Sequence, residues 1–168
     1  LQELRAGWAE VVKHALIGDP ALLQFLEEQA EAVAALEPAA ATKAIARSIA
    51  IKARIVEQDE REETGLRSLL NYGHTIGHAL EAAADYRGLL HGEAIAVGMV
   101  GAARISQRLG LLAQEGAARH EEVLARFGLP LRAPGIDPRR VMAAMALDKK
   151  ARRQALRWVL LEAIGRPI

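Results

Sequence analysis

Residues 69–84 read LLNYGHTIGHALEAAA, and the spacing of the histidines within them decides the fold. His74 and His78 are four positions apart, and so are Gly73 and Gly77. Residues four apart lie one turn apart on the same face of an α-helix. The stretch therefore predicts a helix beginning near Leu66 that turns both imidazoles to one side, with a glycine stripe beside them. Glycine destabilises a helix interior by about 1 kcal/mol relative to alanine, so two glycines here ask for a reason. A stripe of small residues admits a second helix or a bound ligand. The expectation is that the glycines keep the imidazole face open to an ion and its substrate, so that Gly77→Leu disturbs ligand affinity more than folding.

Working outward, helical periodicity dominates the 168 residues. Leu4, Trp8, Val11, Val12, Ala15 and Leu16 recur at helical spacing until Gly18, Asp19 and Pro20 end the run. Further helices are predicted over 21–36, 40–60, 93–109 and 114–127. Asp137 reads as an N-cap with Pro138 at the first helical position of another, which ends near Asp148. In the tail, Leu156, Trp158 and Leu160 alternate, which leaves room for a short strand. The composition agrees: 51% of residues are hydrophobic but only 4% aromatic, a mixture suited to closely packed helices rather than a β-sandwich. The expected fold is mainly α, a single multi-helix domain over 1–168 with at most a short strand near the C-terminus.

Charge and cysteine content bound the function. A net charge of +1, from 22 basic and 21 acidic side chains, supplies no field to draw nucleic acid or an anionic membrane. No apolar run reaches the ~20 residues needed to span a bilayer. The first residues, LQELRAGWAEVVKHALIGD, are amphipathic and charged throughout, unlike a signal peptide. They lack an initiating Met, so the chain is expected to begin inside a longer protein. The absence of cysteine excludes disulfides and thiolate metal sites and is consistent with a cytoplasmic location.

A histidine pair on an amphipathic helix is commonly a surface or core feature. Two further residues shift the balance: His91, just before a predicted helix, and Glu10, near the apolar face of the first. A carboxylate, two imidazoles and an open position are the usual kit of a catalytic zinc, which polarises a bound oxygen and lowers its pKa. Spacing leaves open whether His74 or His78 is the ligand. A structural zinc would fill four positions, commonly with cysteine, so a non-catalytic helical binding module is the weaker alternative. Lys13 and Lys52 read by themselves as solvated helix charges. Arg67 follows a predicted helix start, where a cation opposes the dipole, while Glu93 complements one and reads as structural. His14 and His120 have no motif partner and read as surface residues; Met99, Met142 and Met145 read as core filler.

Four segments in register carry a resemblance. They are LRAGWAEVVKHALIGD (4–19), DEREETGLRSLLNYGHTIGHALE (59–81), LLHGEAIAVGM (89–99) and LDKKARRQALRWVLLEAIG (147–165). Together they resemble the C-terminal half of 3-dehydroquinate synthase, a lyase of the shikimate pathway to aromatic amino acids. The resemblance implies a helical domain packed on an N-terminal NAD-binding α/β domain that this chain lacks, in a homodimer. It implies conversion of 3-deoxy-D-arabino-heptulosonate 7-phosphate to 3-dehydroquinate and phosphate, with zinc or cobalt and NAD as cofactors. It makes Glu10, His74 and His91 the metal ligands and His78 a catalytic histidine at the phosphate end. Lys13 and Lys52 become catalytic-pocket lysines. Arg67, Asn71 and one of Lys149 and Lys150, with Lys150 preferred, become substrate-binding. Related sugar-phosphate cyclases and metal-dependent polyol dehydrogenases are the alternatives; Asn71 and the Asp148-Lys149-Lys150 element fit dehydroquinate synthase better. No strand, glycine-rich turn and helix of the dinucleotide-binding kind occurs in the sequence, so the chain alone is expected to bind zinc weakly and not to turn over.

Overall fold

Gly18, Asp19 and Pro20 do end the first helix. The computed structural model describes residues 2–151 and 157–168, apart from the side chains of 148–151. Helix α1 spans Gln2–Gly18, α2 Pro20–Glu28, α3 Ala30–Ala34 and α4 Pro38–Gln58. Asp19 caps α2 by accepting from the Leu22 N–H at 3.0 Å, and the same carboxylate accepts from the Arg47 guanidinium at 2.6 and 2.7 Å. One side chain thus satisfies a helix end and ties it to α4.

The single helix expected over 21–36 is two. Gln29 leaves the helical basin at φ −117°, with no glycine or proline nearby to announce it. The bend keeps both α2 and α3 against α4 and α7, the helix over Gln114–Arg126. Its cause is tertiary.

The helix expected from Leu66 also differs. Leu66–Asn71 forms a short 3-10 helix, and α5 begins only at His74 and runs to Ala83. Gly73 between them has φ +79°, a left-handed conformation that strains any residue with a Cβ. It lies outside the helix, so the interior penalty never applied to it. Helix α6 covers His91–Arg108, starting two residues earlier than expected, and α8 covers Pro138–Ala151. Asp137 caps α8 as anticipated, accepting from the Arg139 N–H at 2.8 Å.

The tail does hold a strand, but beyond the alternating residues. Leu161–Ala163 (β1) pairs antiparallel with Arg166–Pro167 (β2). Leu156 lies outside the described residues. The hairpin is pinned at two points: the Leu161 N–H donates to Ser106 Oγ at 3.1 Å, and the Gly165 N–H donates to the Leu16 carbonyl at 2.8 Å.

Helix α6 is the hub, packed on α1, α5 and α7. Its contact with α5 is made through glycines. A Cβ on Gly98 would overlap the Gly73 carbonyl, one on Gly73 would come within 2.7 Å of Met99 Cγ, and one on Gly77 within 2.6 Å of Ile95 Cδ1. The stripe is therefore filled by α6. It does not hold the imidazole face open, and the expected separation of ligand affinity from folding in Gly77→Leu is corrected accordingly.

Two histidines read as surface residues are buried. His14 is hydrogen bonded to Ser48 Oγ at 2.7 Å. His120 donates from Nδ1 to the Gly116 carbonyl at 2.6 Å, which leaves Nε2 to accept from the buried Tyr72 hydroxyl at 3.0 Å. Met99 fills the core, but Met142 is 65% exposed on α8.

Two outcomes follow from this packing. Gly77→Leu should destabilise the fold by ~1–3 kcal/mol or more through overpacking, read as a lower urea midpoint without ligand. Burial holds His120 neutral, with its pKa lowered to about 4. Its unfolded form binds a proton near 6.5, so between pH 6.5 and 4 the unfolded state holds more protons and stability falls as pH falls. His120→Gln should flatten that slope in urea titrations run across this window. His14 and His74, both also lowered to about 4 by burial first and Lys13 next, retain their own shares of it.

Candidate metal centre

The centre is assembled from one helix face and two helix starts. Helix α1 presents Glu10 and Lys13, one turn apart. Lys13 is only 3% exposed, and its ammonium donates to Glu10 Oε2 at 2.7 Å. Burial pulls the Lys13 pKa down, opposed by its pair with Glu10. Burial pushes the Glu10 carboxyl up, but the charge and hydrogen bond of Lys13, with His74 and His14 adding, leave it below the usual carboxylate value. The other carboxylate oxygen, Glu10 Oε1, is buried and has no hydrogen-bond partner among the described residues. A buried acceptor left this way costs about 1–3 kcal/mol.

His74 is the first residue of α5, placed there by the turn at Gly73. Its Nδ1–H donates to the Tyr72 carbonyl at 3.1 Å, so its lone pair is on Nε2, 3.8 Å from Glu10 Oε1. Burial, then the charge of Lys13, lowers its pKa to about 4, leaving a neutral imidazole at physiological pH. His91 is the first residue of α6. That start is fixed by Glu93, which accepts from the Leu90 N–H at 2.9 Å and from the Gln2 side chain at 2.9 Å. Glu93 is structural, as its position in the first turn implied.

These elements bring Glu10, His74 and His91 together, with one potential ligand atom from each within 4.8 Å of the others. The orphaned Glu10 Oε1 and the free Nε2 of a neutral His74 are what a divalent cation would satisfy, and carboxylate with imidazole suits zinc or cobalt. The donor set fits such an ion.

His78 is exposed one turn along α5, its ring 5.2 Å from that of His74 and 5.9 Å from that of His91. Lys52, exposed on α4, is close enough for its charge to lower the pKa of Lys13. Arg67 is engaged elsewhere in its own turn, with the Glu60 carbonyl at 3.2 Å and Glu62 at 3.1 Å. Asn71, at the end of the 3-10 helix, is exposed. Lys149 and Lys150 fall outside the described side chains, although α8 packs against α5. One residue was missed in the sequence: Glu81, whose Oε1 accepts from His91 Nδ1 at 3.1 Å. The signal was present, since Glu81 follows His74 and His78 on the same face of α5.

Fold and donor set together define a helical domain with a three-residue metal-type centre at two helix starts. Residues 7–151 match the 3-dehydroquinate synthase C-terminal family, and the chain belongs to it. It is 46% identical to the 3-dehydroquinate synthase of Nitrosospira multiformis, over 98% of this chain and 45% of the relative. It is 49% identical to that of Halorhodospira halophila, over 98% and 46%. Among solved structures it is similar to 2-epi-5-epi-valiolone synthase from Streptomyces hygroscopicus subsp. jinggangensis with NAD+ and Zn2+ bound. That match has 30% identity and a TM-score of 0.86, covering 99% of this chain and 46% of the other. It is also similar to 2-deoxy-scyllo-inosose synthase complexed with carbaglucose-6-phosphate, NAD+ and Co2+, at 31% identity and TM-score 0.84 over 99% and 47%. The chain spans less than half the length of each of these relatives.

In the full-length protein, zinc content after dialysis should separate the two helix histidines. Glu10→Gln, His74→Ala and His91→Ala should each lose most bound zinc, while His78→Ala retains it. Equal content in His91→Ala and wild type would remove His91 from the ligand set.

Proposed function

We propose that this chain is the metal- and substrate-binding part of a 3-dehydroquinate synthase, converting 3-deoxy-D-arabino-heptulosonate 7-phosphate to 3-dehydroquinate and phosphate. The observation that carries the reading is the meeting of Glu10, His74 and His91 around Glu10 Oε1, which is unpartnered among the described residues. Glu10 Oε1, His74 Nε2 and an imidazole nitrogen of His91 would hold zinc or cobalt. When bound, such an ion supplies Lewis-acid polarisation of substrate hydroxyls, which eases oxidation of the alcohol by NAD.

The chain's own residues account for the rest of its share. The substrate carries a carboxylate and a phosphate, and the starts of α5 and α6 offer partial positive charge to anions nearby. Lys13 fixes the Glu10 carboxylate with one hydrogen bond and has two further donors for substrate oxygen. Lys52 adds charge beside it. Arg67 would need to exchange its Glu62 contact for substrate; Asn71, Lys149 and Lys150 complete the proposed anion-holding set. His78, exposed beside the metal-type centre, is placed to hold the phosphate end or move a proton there.

NAD is assigned to an α/β domain outside these 168 residues, in a cytoplasmic homodimer serving aromatic amino-acid biosynthesis. Among the described residues no helix is long and apolar enough to cross a membrane. The likeness to two cyclases that form other ring products favours one second reading, a related sugar-phosphate cyclase.

Phosphate release decides between them. The full-length protein with NAD and zinc should release phosphate from the heptulosonate phosphate, and the 168 residues alone should not. Lys13→Ala should lower kcat/KM by about a hundredfold or more, as loss of a preorganised donor does. Turnover of sedoheptulose 7-phosphate but not of the heptulosonate would move the assignment to the second reading.

A further inference from the structure

Glu81 is the acidic group at the centre to which no role has been given. It lies on the His74 and His78 face of α5, its side chain 15% exposed, while the His91 side chain it meets is 50% exposed. A half-exposed imidazole in water samples both tautomers and several ring orientations. The described hydrogen bond of the His91 ring is to Glu81 Oε1, at 3.1 Å from Nδ1. An ionised carboxylate only accepts, so the proton resides on Nδ1 and the lone pair on Nε2.

The geometry points to Glu81 as a positioning residue that holds His91 with Nε2 presented to the metal ion. This rests on the three-ligand reading above. His74 supports it by parallel: its Nδ1 is likewise committed to an acceptor, the Tyr72 carbonyl, which frees Nε2 toward Glu10. The two imidazoles thus share one device, a backbone oxygen behind the buried ring and a carboxylate behind the exposed one. A carboxylate in that position also makes the imidazole a more basic ligand.

Glu81 could instead be a ligand itself, since His78, Glu81 and His91 form a second convergent set. Two observations favour positioning. Glu81 Oε1 already has its hydrogen-bond partner, whereas Glu10 Oε1 has none among the described residues. And His91 Nδ1 cannot both donate to Glu81 and coordinate an ion.

The test is zinc affinity of the full-length protein, by competition with a chelator, for wild type, Glu81→Ala, Glu81→Gln and His91→Ala. Unfolding midpoints confirm that each variant is folded. Glu81→Ala should weaken zinc binding about 10–100-fold, the usual effect of losing such a partner. Glu81→Gln, whose amide oxygen still accepts from Nδ1, should recover most of the loss. In the metal-free protein, imidazole 15N shifts should show one His91 tautomer in wild type and Glu81→Gln but a mixture in Glu81→Ala. Wild-type affinity in Glu81→Ala beside a weakened His91→Ala overturns the positioning role alone. Glu81→Gln as weak as His91→Ala overturns it in favour of direct ligation. Wild-type affinity in His91→Ala overturns the three-ligand centre itself.

Discussion

Helix α6 meets the start of α5 backbone to backbone at Gly98, with no side chain between them. Gly98 lies under the Gly73 carbonyl, and Gly73 and Gly77 lie on Met99 and Ile95. This approach puts the first residues of the two helices, His74 and His91, side by side, with ring centroids 5.5 Å apart. Separating the helices by one methyl layer would carry the imidazoles apart as well. The packing that closes the core and the geometry that could close on an ion are one constraint.

Helix α1 adds the charge. Its Glu10 and Lys13 form a pair in which the cation is nearly fully buried, an arrangement stable only while both partners remain. Burial and the nearby ammonium hold His74 neutral, the state in which an imidazole can ligate. The centre therefore combines an ionised carboxylate with an uncharged imidazole at the same pH, although the protein as a whole carries a net charge of only +1. Local burial sets this balance, and the sum of charges does not reveal it.

Buried polar groups away from the centre serve its framework. The hydrogen bonds from Tyr72 to His120, and from His120 to Gly116, lock the segment whose carbonyl receives the His74 Nδ1 proton. Nothing in the sequence around His120 advertised this, because a lone histidine on an amphipathic helix looks alike in the core and in solvent. Glu81 shares a legible helix face with His74 and His78, but its pairing with His91, ten residues away across a loop, does not show in the sequence.

Much of the fold was legible because its signals are local. Apolar residues recurring at helical spacing, the Gly-Asp-Pro stop after α1 and the Asp137-Pro138 start of α8 act within a turn or two of chain. The types of the candidate ligands were legible too, since the chemistry of zinc restricts them. Spacing did not choose between His74 and His78, because both satisfy the same helical period; the family resemblance chose His74. Only tertiary structure brought His74 Nε2 toward Glu10 Oε1, bent α2 from α3 at Gln29, and assigned the glycines to helix packing. Each of those outcomes depends on what lies opposite in space, and periodicity along one chain carries no information about the opposite face.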